Sequence, residues 1–159
     1  MRVRPLPRPI PAVSYAVDKF FDETALWYDA IMPILSRHQY PAGGLISAQV
    51  DNEMAFFFNI NAYASDFCPA SIKRFRAFLE GKYGSIAGLN VVYGKKYASF
   101  ADVDAPRSFS ATARTDLPAY VDWIEYRERY LIDSMKRLAD MMRARGLDRI
   151  PLFHNYPHP

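Results

Sequence analysis

The sequence predicts an α/β protein with two parallel strands and flanking helices. Two apolar segments have the composition of strands, 45–50 and 149–155, and amphipathic helical patterns precede the first strand and separate the two. No pair of alternating apolar runs is joined by a short turn such as Asn-Gly, so no β-hairpin is indicated. A long helical connection between neighbouring strands is expected to be a right-handed crossover, which makes the strands parallel.

The N-terminal part of the chain predicts an irregular segment, then a helix, then a turn. Four of the first eleven residues are prolines, which indicates irregular structure over residues 1–16. Apolar residues at helical spacing predict a helix from about Val17 to Ser36, and Pro33 is expected to kink or break its last turn. Pro41 to Gly44 then form a turn that leads into the first strand.

Three more helices are predicted between the strands, after an irregular stretch at 54–66. One runs from about Pro69 to Lys82, with Ser65 or Asp66 as its cap, Gly84 at its end, and an inner face of Ile72, Phe75, Phe78 and Leu79. A short helix follows over Ser85 to Val92. Residues 94–115 lack periodicity and predict a long loop, which in compact domains usually has a functional role.

The longest predicted helix has about 28 residues. Asp116 is expected to cap it, and Gly146 to end it. Its apolar residues repeat at intervals of 3 to 7 and predict one buried face, made of Val121, Ile124, Leu131, Met135, Leu138 and Met142.

Composition excludes several classes of protein. The net charge is +3 with dispersed basic residues, so no nucleic-acid partner is expected. The single cysteine, Cys68, allows no internal disulfide and no multi-cysteine metal site, and is expected to be a small apolar residue near a helix. The sequence contains no run of 18 apolar residues, so no membrane-spanning helix is expected. The absence of a signal-peptide pattern favours a cytoplasmic location.

The candidate site lies where the first predicted strand ends. Gly43 and Gly44 precede the strand, and the polar trio Asp51, Asn52 and Glu53 follows it. Parallel α/β proteins place their chemistry at the carboxyl ends of strands. Asn155, at the end of the second strand, is therefore expected at the same edge.

The segment from Gly43 to Glu53 resembles the fourth strand of β-galactosidases of glycoside hydrolase families 35 and 42. These are retaining enzymes with a TIM barrel, and an Asn-Glu pair ends that strand. The likeness continues through Phe75 to Asn90 and through Tyr97 to Phe100, and Arg149 to Asn155 resembles the fifth strand. The glycine pair and Gln49-Val50 look more like family 35, so the choice between the two families is left open here.

The resemblance implies that residues 1–159 are a partial catalytic domain, a fragment of a (β/α)8 barrel whose N- and C-terminal parts are missing. It implies an enzyme that hydrolyses terminal β-glycosidic bonds, with Glu53 as general acid/base and Asn52 and Asn155 binding substrate. The family's nucleophile is a second Glu on the seventh strand, so this chain alone is expected to be inactive. Asp51 is expected to be structural, as is His154. The aromatic residues Phe56, Phe57 and Tyr156 are weighed as sugar platforms, with core packing the alternative.

The expected partner is a carbohydrate substrate. No cofactor and no membrane association are expected, and the sequence does not predict the oligomeric state. Many family 42 members bind a structural zinc through a cysteine cluster, and Cys68 alone cannot form one, so no metal is expected. Two other readings compete with the enzyme. One is a non-catalytic remnant or a carbohydrate-binding partial barrel, and the other is a helical interaction protein.

Overall fold

The computed structural model describes residues 13–53, 62–63 and 66–155. Within these ranges the chain forms four α-helices, two short strands and three 3₁₀ turns. In chain order they are α1 (Asp18–Leu35), the turn Ser36–His38, β1 (Ala48–Gln49), α2 (Pro69–Tyr83), α3 (Ile86–Tyr93), the turns Phe100–Asp102 and Arg114–Asp116, α4 (Leu117–Arg143) and β2 (Leu152–Phe153). The expectations for residues 1–12 and for Phe56, Phe57, Ser65 and Tyr156 lie outside the described residues.

The two strands are parallel, as predicted. Ala48 lies opposite Leu152, and Gln49 lies opposite Phe153. Both strands are shorter and more exposed than predicted, and Ile46 is 70% exposed. Parallel strands are normally covered on both faces and paired at both edges, whereas among the described residues β1 is paired only with β2.

A tight turn leads from α1 into β1. The Gly43 amide donates to the Gln39 carbonyl at 2.9 Å, and the Leu45 amide donates to the His38 carbonyl at 2.9 Å. A Cβ atom on Gly43 would lie 2.4 Å from the His38 carbonyl oxygen, so the turn closes only around a glycine.

Buried Gln39 ties this turn to the one that precedes β2. Its Nε2 donates to the Gly146 carbonyl at 2.8 Å, and its Oε1 accepts from the Arg149 amide at 2.9 Å. The side chain is fully buried and its polar atoms are bonded, as burial of an amide requires. The connections that enter the two strands are thereby held at a fixed separation.

Two hydrophobic clusters form the core, and α4 contributes to both. The first joins α2, α3 and the N-terminal half of α4 around the fully buried Trp123. The second joins α1, the C-terminal half of α4 and the strands around Phe21, Met32 and Leu138. Because α4 spans both clusters, it fixes the helices of the crossover against the strand pair.

The predicted N-cap of α2 needs correction. Cys68, not Asp66, is the N-cap of α2, and its Sγ accepts from the Ser71 amide at 3.4 Å. Asp66 instead accepts a hydrogen bond from the amide of Cys68 at 3.2 Å. The predicted bounds of α1, α2, α3 and α4 are confirmed to within a few residues.

The buried face of α4 matches the predicted one only in part. Val121 is 57% exposed, and Ile124, Leu131 and Met135 are only partly buried. The buried face is instead rich in aromatic and polar residues and consists of Asp122, Trp123, Tyr126, Arg127, Tyr130, Ser134, Leu138, Ala139 and Met142. Leu138 and Met142 are buried as predicted, whereas aromatic residues whose polar groups find partners fill much of the rest of this face. A search for aliphatic periodicity alone does not identify those aromatic positions.

Candidate active site

The polar residues that follow β1 and β2 meet at one edge of the strand pair. The Glu53 amide donates to Oδ1 of Asn155 at 3.0 Å, across 102 residues of sequence. Asn155 Nδ2 lies 3.4 Å from Oδ1 of Asn52. The prediction that Glu53 and Asn155 lie at the same end of parallel strands is therefore confirmed.

Gln49, the last residue of β1, links these groups. Its Nε2 donates to Oδ1 of Asn155 at 2.5 Å, to Oδ1 of Asn52 at 3.1 Å and to the Asp51 carbonyl at 3.0 Å. A single side-chain amide thus contacts both strand ends. Sequence reasoning included Gln49 in the strand motif but did not assign it to the site.

Glu53 adopts a left-handed backbone conformation, with a φ of 50°. Within the described ranges it is the one residue other than glycine with a positive φ. Its side chain is half-buried, while Asn52 is exposed. This conformation is uncommon for residues with a Cβ atom, and residues held in it by the surrounding structure cluster at functional sites.

Asp51 has a structural role in the geometry. Its Oδ2 accepts a hydrogen bond from the Tyr15 hydroxyl at 2.8 Å, and its Oδ1 accepts one from the Asn52 amide at 2.7 Å. Burial, with the hydrogen bond to Asp51, raises the pKa of Tyr15 well above its usual value. Tyr15 therefore stays protonated and continues to donate to Asp51.

The residue before Tyr15 contacts the segment that precedes α2. Ser14 Oγ donates to the Asp66 carboxylate and accepts from Cys68 Sγ at 3.3 Å. The Tyr130 hydroxyl of α4 donates to the same Asp66 oxygen at 3.3 Å. Ser14 and Tyr15 thus contact Asp66 and Asp51, one on each side of Glu53 in the sequence.

A second polar cluster surrounds Asp122 on the buried face of α4. Its carboxylate accepts from Lys82 at 2.8 Å and from the hydroxyls of Tyr83 and Tyr93, each at 2.7 Å. Burial, with the bond to Asp122, raises the pKa of Tyr83 to about 12. Burial alone would lower the pKa of Lys82, but its hydrogen bonds to Asp122 and Glu125 outweigh that effect and raise it. The three donors satisfy a carboxylate that is 2% exposed, which makes this cluster a core element.

Two kinds of feature are absent from the part of the chain that the structure describes. It contains no group of three or more His, Cys, Asp or Glu side chains placed to hold a metal ion. It also contains no helix long and apolar enough to cross a membrane.

Comparison with known proteins relates the chain to one enzyme family and to individual enzymes that act on glycosides. The family model of glycoside hydrolase family 42, described as beta-galactosidase, matches residues 19–159. A beta-1,2-glucosyltransferase of Ignavibacterium album is 36% identical over 146 residues, which are 91% of this chain and 20% of that protein. A beta-galactosidase of Thermus thermophilus is 36% identical over 101 residues, which are 60% of this chain and 13% of that protein.

A solved structure shares the fold. The crystal structure of beta-galactosidase from the psychrophilic Marinomonas ef1 matches with a TM-score of 0.71 at 22% identity, over 89% of this chain and 21% of that one. The described residues therefore have the fold of part of a TIM barrel, with two of its parallel strands and their flanking helices. The chain spans about a fifth of the length of these matched proteins, and of the Thermus enzyme still less.

Proposed function

Because the chain belongs to glycoside hydrolase family 42, we propose that it is part of a retaining enzyme that hydrolyses terminal β-glycosidic bonds, with Glu53 as general acid/base. The observation that carries the proposal is the position of Asn52 and Glu53. They lie shortly after β1 in the sequence and contact Asn155, which lies shortly after β2. The carboxyl edge of the strands is where TIM-barrel enzymes assemble their active sites.

The roles of the three residues follow from retaining chemistry. Glu53 protonates the glycosidic oxygen as the bond to the anomeric carbon breaks, and then takes a proton from the water that releases the sugar. Asn52, whose side chain is exposed, is proposed to donate to the sugar 2-hydroxyl. Asn155 is proposed to line the same pocket.

The second carboxylate of this mechanism attacks the anomeric carbon and lies about 5–5.5 Å from the first. We assign it to another part of a full-length protein of the size of the matched relatives. The chain by itself is therefore expected to bind sugar weakly and to turn over no glycoside.

Glycosyl transfer is a second candidate. The chain is 36% identical over 91% of its length to a beta-1,2-glucosyltransferase. The same Glu53 that activates water in hydrolysis would activate a sugar hydroxyl in transfer, so the two reactions differ only in the acceptor. A non-catalytic, carbohydrate-binding role remains the alternative to both.

The test is turnover of β-galactosides and β-glucosides by the full-length protein and its Glu53→Gln variant. Loss of general acid catalysis should lower kcat for natural substrates by about 10²–10⁴-fold. The loss should be smaller for nitrophenyl glycosides, whose leaving group departs without a proton. Azide, which needs no general base, should restore turnover of the nitrophenyl substrate and yield a glycosyl azide.

The matched control is Glu80→Gln. Glu80 is an exposed carboxylate on α2, so this variant should leave turnover unchanged. Unchanged turnover of the natural substrate in Glu53→Gln would exclude Glu53 as the acid/base. A glucoside acceptor added to the assay separates the two reactions, because a transferase converts it to a disaccharide in preference to hydrolysis.

A further inference from the structure

The side chain of Asn155 bonds to the backbone of Glu53 rather than to its carboxylate. Asn155 Oδ1 accepts from the Glu53 amide at 3.0 Å and from Gln49 Nε2 at 2.5 Å. Its oxygen therefore serves two protein donors from the neighbouring strand end. A side chain engaged in this way fixes the main chain of Glu53 in addition to lining the site.

Glu53 needs such a contact because of its backbone conformation. At a φ of 50° its Cβ atom is crowded by the following peptide, and only glycine adopts this region freely. A residue with a side chain stays there when tertiary contacts hold it. The bond to Asn155 is the long-range hydrogen bond made by the Glu53 amide.

Gln49 determines which end of the Asn155 amide faces Glu53. An amide presents a donor at nitrogen and an acceptor at oxygen. Because Gln49 Nε2 is a donor and lies 2.5 Å from Asn155 Oδ1, it favours the rotamer that presents oxygen to the Glu53 amide. The same Gln49 nitrogen also donates to the Asp51 carbonyl, which precedes Asn52 and Glu53.

We propose that Asn155 is a positioning residue that holds Glu53 in its left-handed conformation, and that Gln49 orients Asn155 for this task. The direction of the Glu53 carboxyl group follows from the conformation of its backbone. The catalytic consequence rests on the proposed function, in which that carboxyl group is the acid/base.

Amide hydrogen exchange of the chain tests the positioning directly. In Asn155→Ala the Glu53 amide loses its acceptor, and its exchange should accelerate by about tenfold, near the upper end of what one hydrogen bond contributes. Amides in the middle of α4 should keep their rates. Asn155→Asp retains an oxygen acceptor and should restore slow exchange at Glu53. Glu80→Gln, at an exposed position on α2, is the control and should leave the Glu53 amide unchanged.

Equal protection of the Glu53 amide in the parent and in Asn155→Ala would overturn the proposal. If Asn155→Ala accelerates exchange throughout α4, Gln49→Leu replaces it, since that variant removes the group that orients Asn155 and leaves the Asn155 side chain in place. Faster exchange at Glu53 alone would then support the proposal, and an unchanged rate would contradict it.

Kinetics of the full-length protein separate positioning from substrate contact. Positioning of the acid predicts that Asn155→Ala lowers kcat with little change in KM and that Asn155→Asp restores kcat. A rise in KM alone would assign Asn155 to substrate binding and overturn its positioning role. The exchange test involves no turnover, so its failure is distinct from a failure of the Glu53→Gln assay.

Discussion

At the scale of single residues, the hydrogen bond from Tyr15 to Asp51 supports the start of the polar segment that carries Glu53. Tyr15 packs edge-on against Phe20, with ring centroids 5.0 Å apart, and contributes to both hydrophobic clusters. Its hydroxyl lies 2.8 Å from the Asp51 carboxylate. The segment before α1 thus connects the core to the strand end.

Tyr15→Phe tests this bond with almost no change in packing. Hydrogen bonds to charged groups contribute about 1.5–3 kcal/mol, and the partial exposure of this pair places the expected loss of unfolding free energy at the lower end. Tyr40→Phe is the control, because Tyr40 is 63% exposed. Urea unfolding of the three proteins gives the comparison, and equal midpoints for Tyr15→Phe and the parent would show that the bond contributes nothing.

The site residues show which contacts can be predicted from the sequence and which cannot. The positions of Glu53 and Asn155 follow from the direction of parallel strands, which apolar composition and a long crossover predict. Gln49 and Tyr15 act through side-chain contacts across the fold, with Tyr15 located 36 residues from Asp51. Both contacts join residues that are far apart in the sequence and leave no periodic pattern in it. They are therefore visible only in the folded structure.

At the scale of secondary-structure elements, the glycine pair before β1 contains one required glycine and one replaceable glycine. An alanine Cβ at Gly43 would lie 2.4 Å from a backbone oxygen, whereas at Gly44 nothing lies within 4 Å. The two adjacent positions provide a test and its own control.

Gly43→Ala should destabilise the fold by about 1–3 kcal/mol, because the His38 carbonyl must move and the turn into β1 must open. Gly44→Ala should lie within about 0.5 kcal/mol of the parent, as expected for an exposed site. Thermal unfolding by circular dichroism measures both. A Gly44 variant as unstable as the Gly43 variant would contradict this account of the turn.

The helices illustrate why element bounds are easier to predict than buried faces. Proline near the start and glycine after the end act through the local backbone. Gly84 and Gly94 directly follow α2 and α3, with φ values of 69° and 60°. The face that α4 buries depends on which partners its side chains meet. Tyr126 enters the core because its hydroxyl reaches the Ser71 carbonyl at 2.8 Å, and that partner is 55 residues away.

At the scale of the whole molecule, buried tyrosines make the fold sensitive to alkali. Burial raises the pKa of Tyr126 to about 12, and that of Tyr93 further. The unfolded chain loses these protons near pH 10, while the folded protein retains them to higher pH. The folded state therefore binds more protons in this range, and stability falls as pH rises.

Unfolding free energy should thus be constant up to about pH 9 and decline above pH 10. Tyr93→Phe should reduce the steepness of the decline, since it removes one of the titrating groups, although it also lowers stability at neutral pH. Urea unfolding between pH 7 and 11 measures the slope. A parent protein whose stability rises above pH 10 would show that these hydroxyls are not protonated donors in the fold.

At the scale of the whole molecule, α1 also exposes large apolar side chains to solvent. Leu26, Trp27 and Ile34 lie on the outer face of α1 and are 66%, 59% and 53% exposed. Large exposed apolar patches mark interaction surfaces or sites of aggregation. Burying such side chains between molecules removes apolar area from water at about 25 cal/mol per Å².

The chain by itself should therefore form concentration-dependent oligomers through α1, and Trp27→Glu should shift them towards monomer. The added charge disfavours burial of that face and leaves the core unchanged, since Trp27 is on the solvent side. Val91→Glu is the control because Val91 is 83% exposed but lies on α3, outside this patch. Sedimentation velocity over a range of concentrations distinguishes the cases. A monomeric parent at all concentrations, or equal dissociation by the two variants, would show that the α1 face does not mediate association.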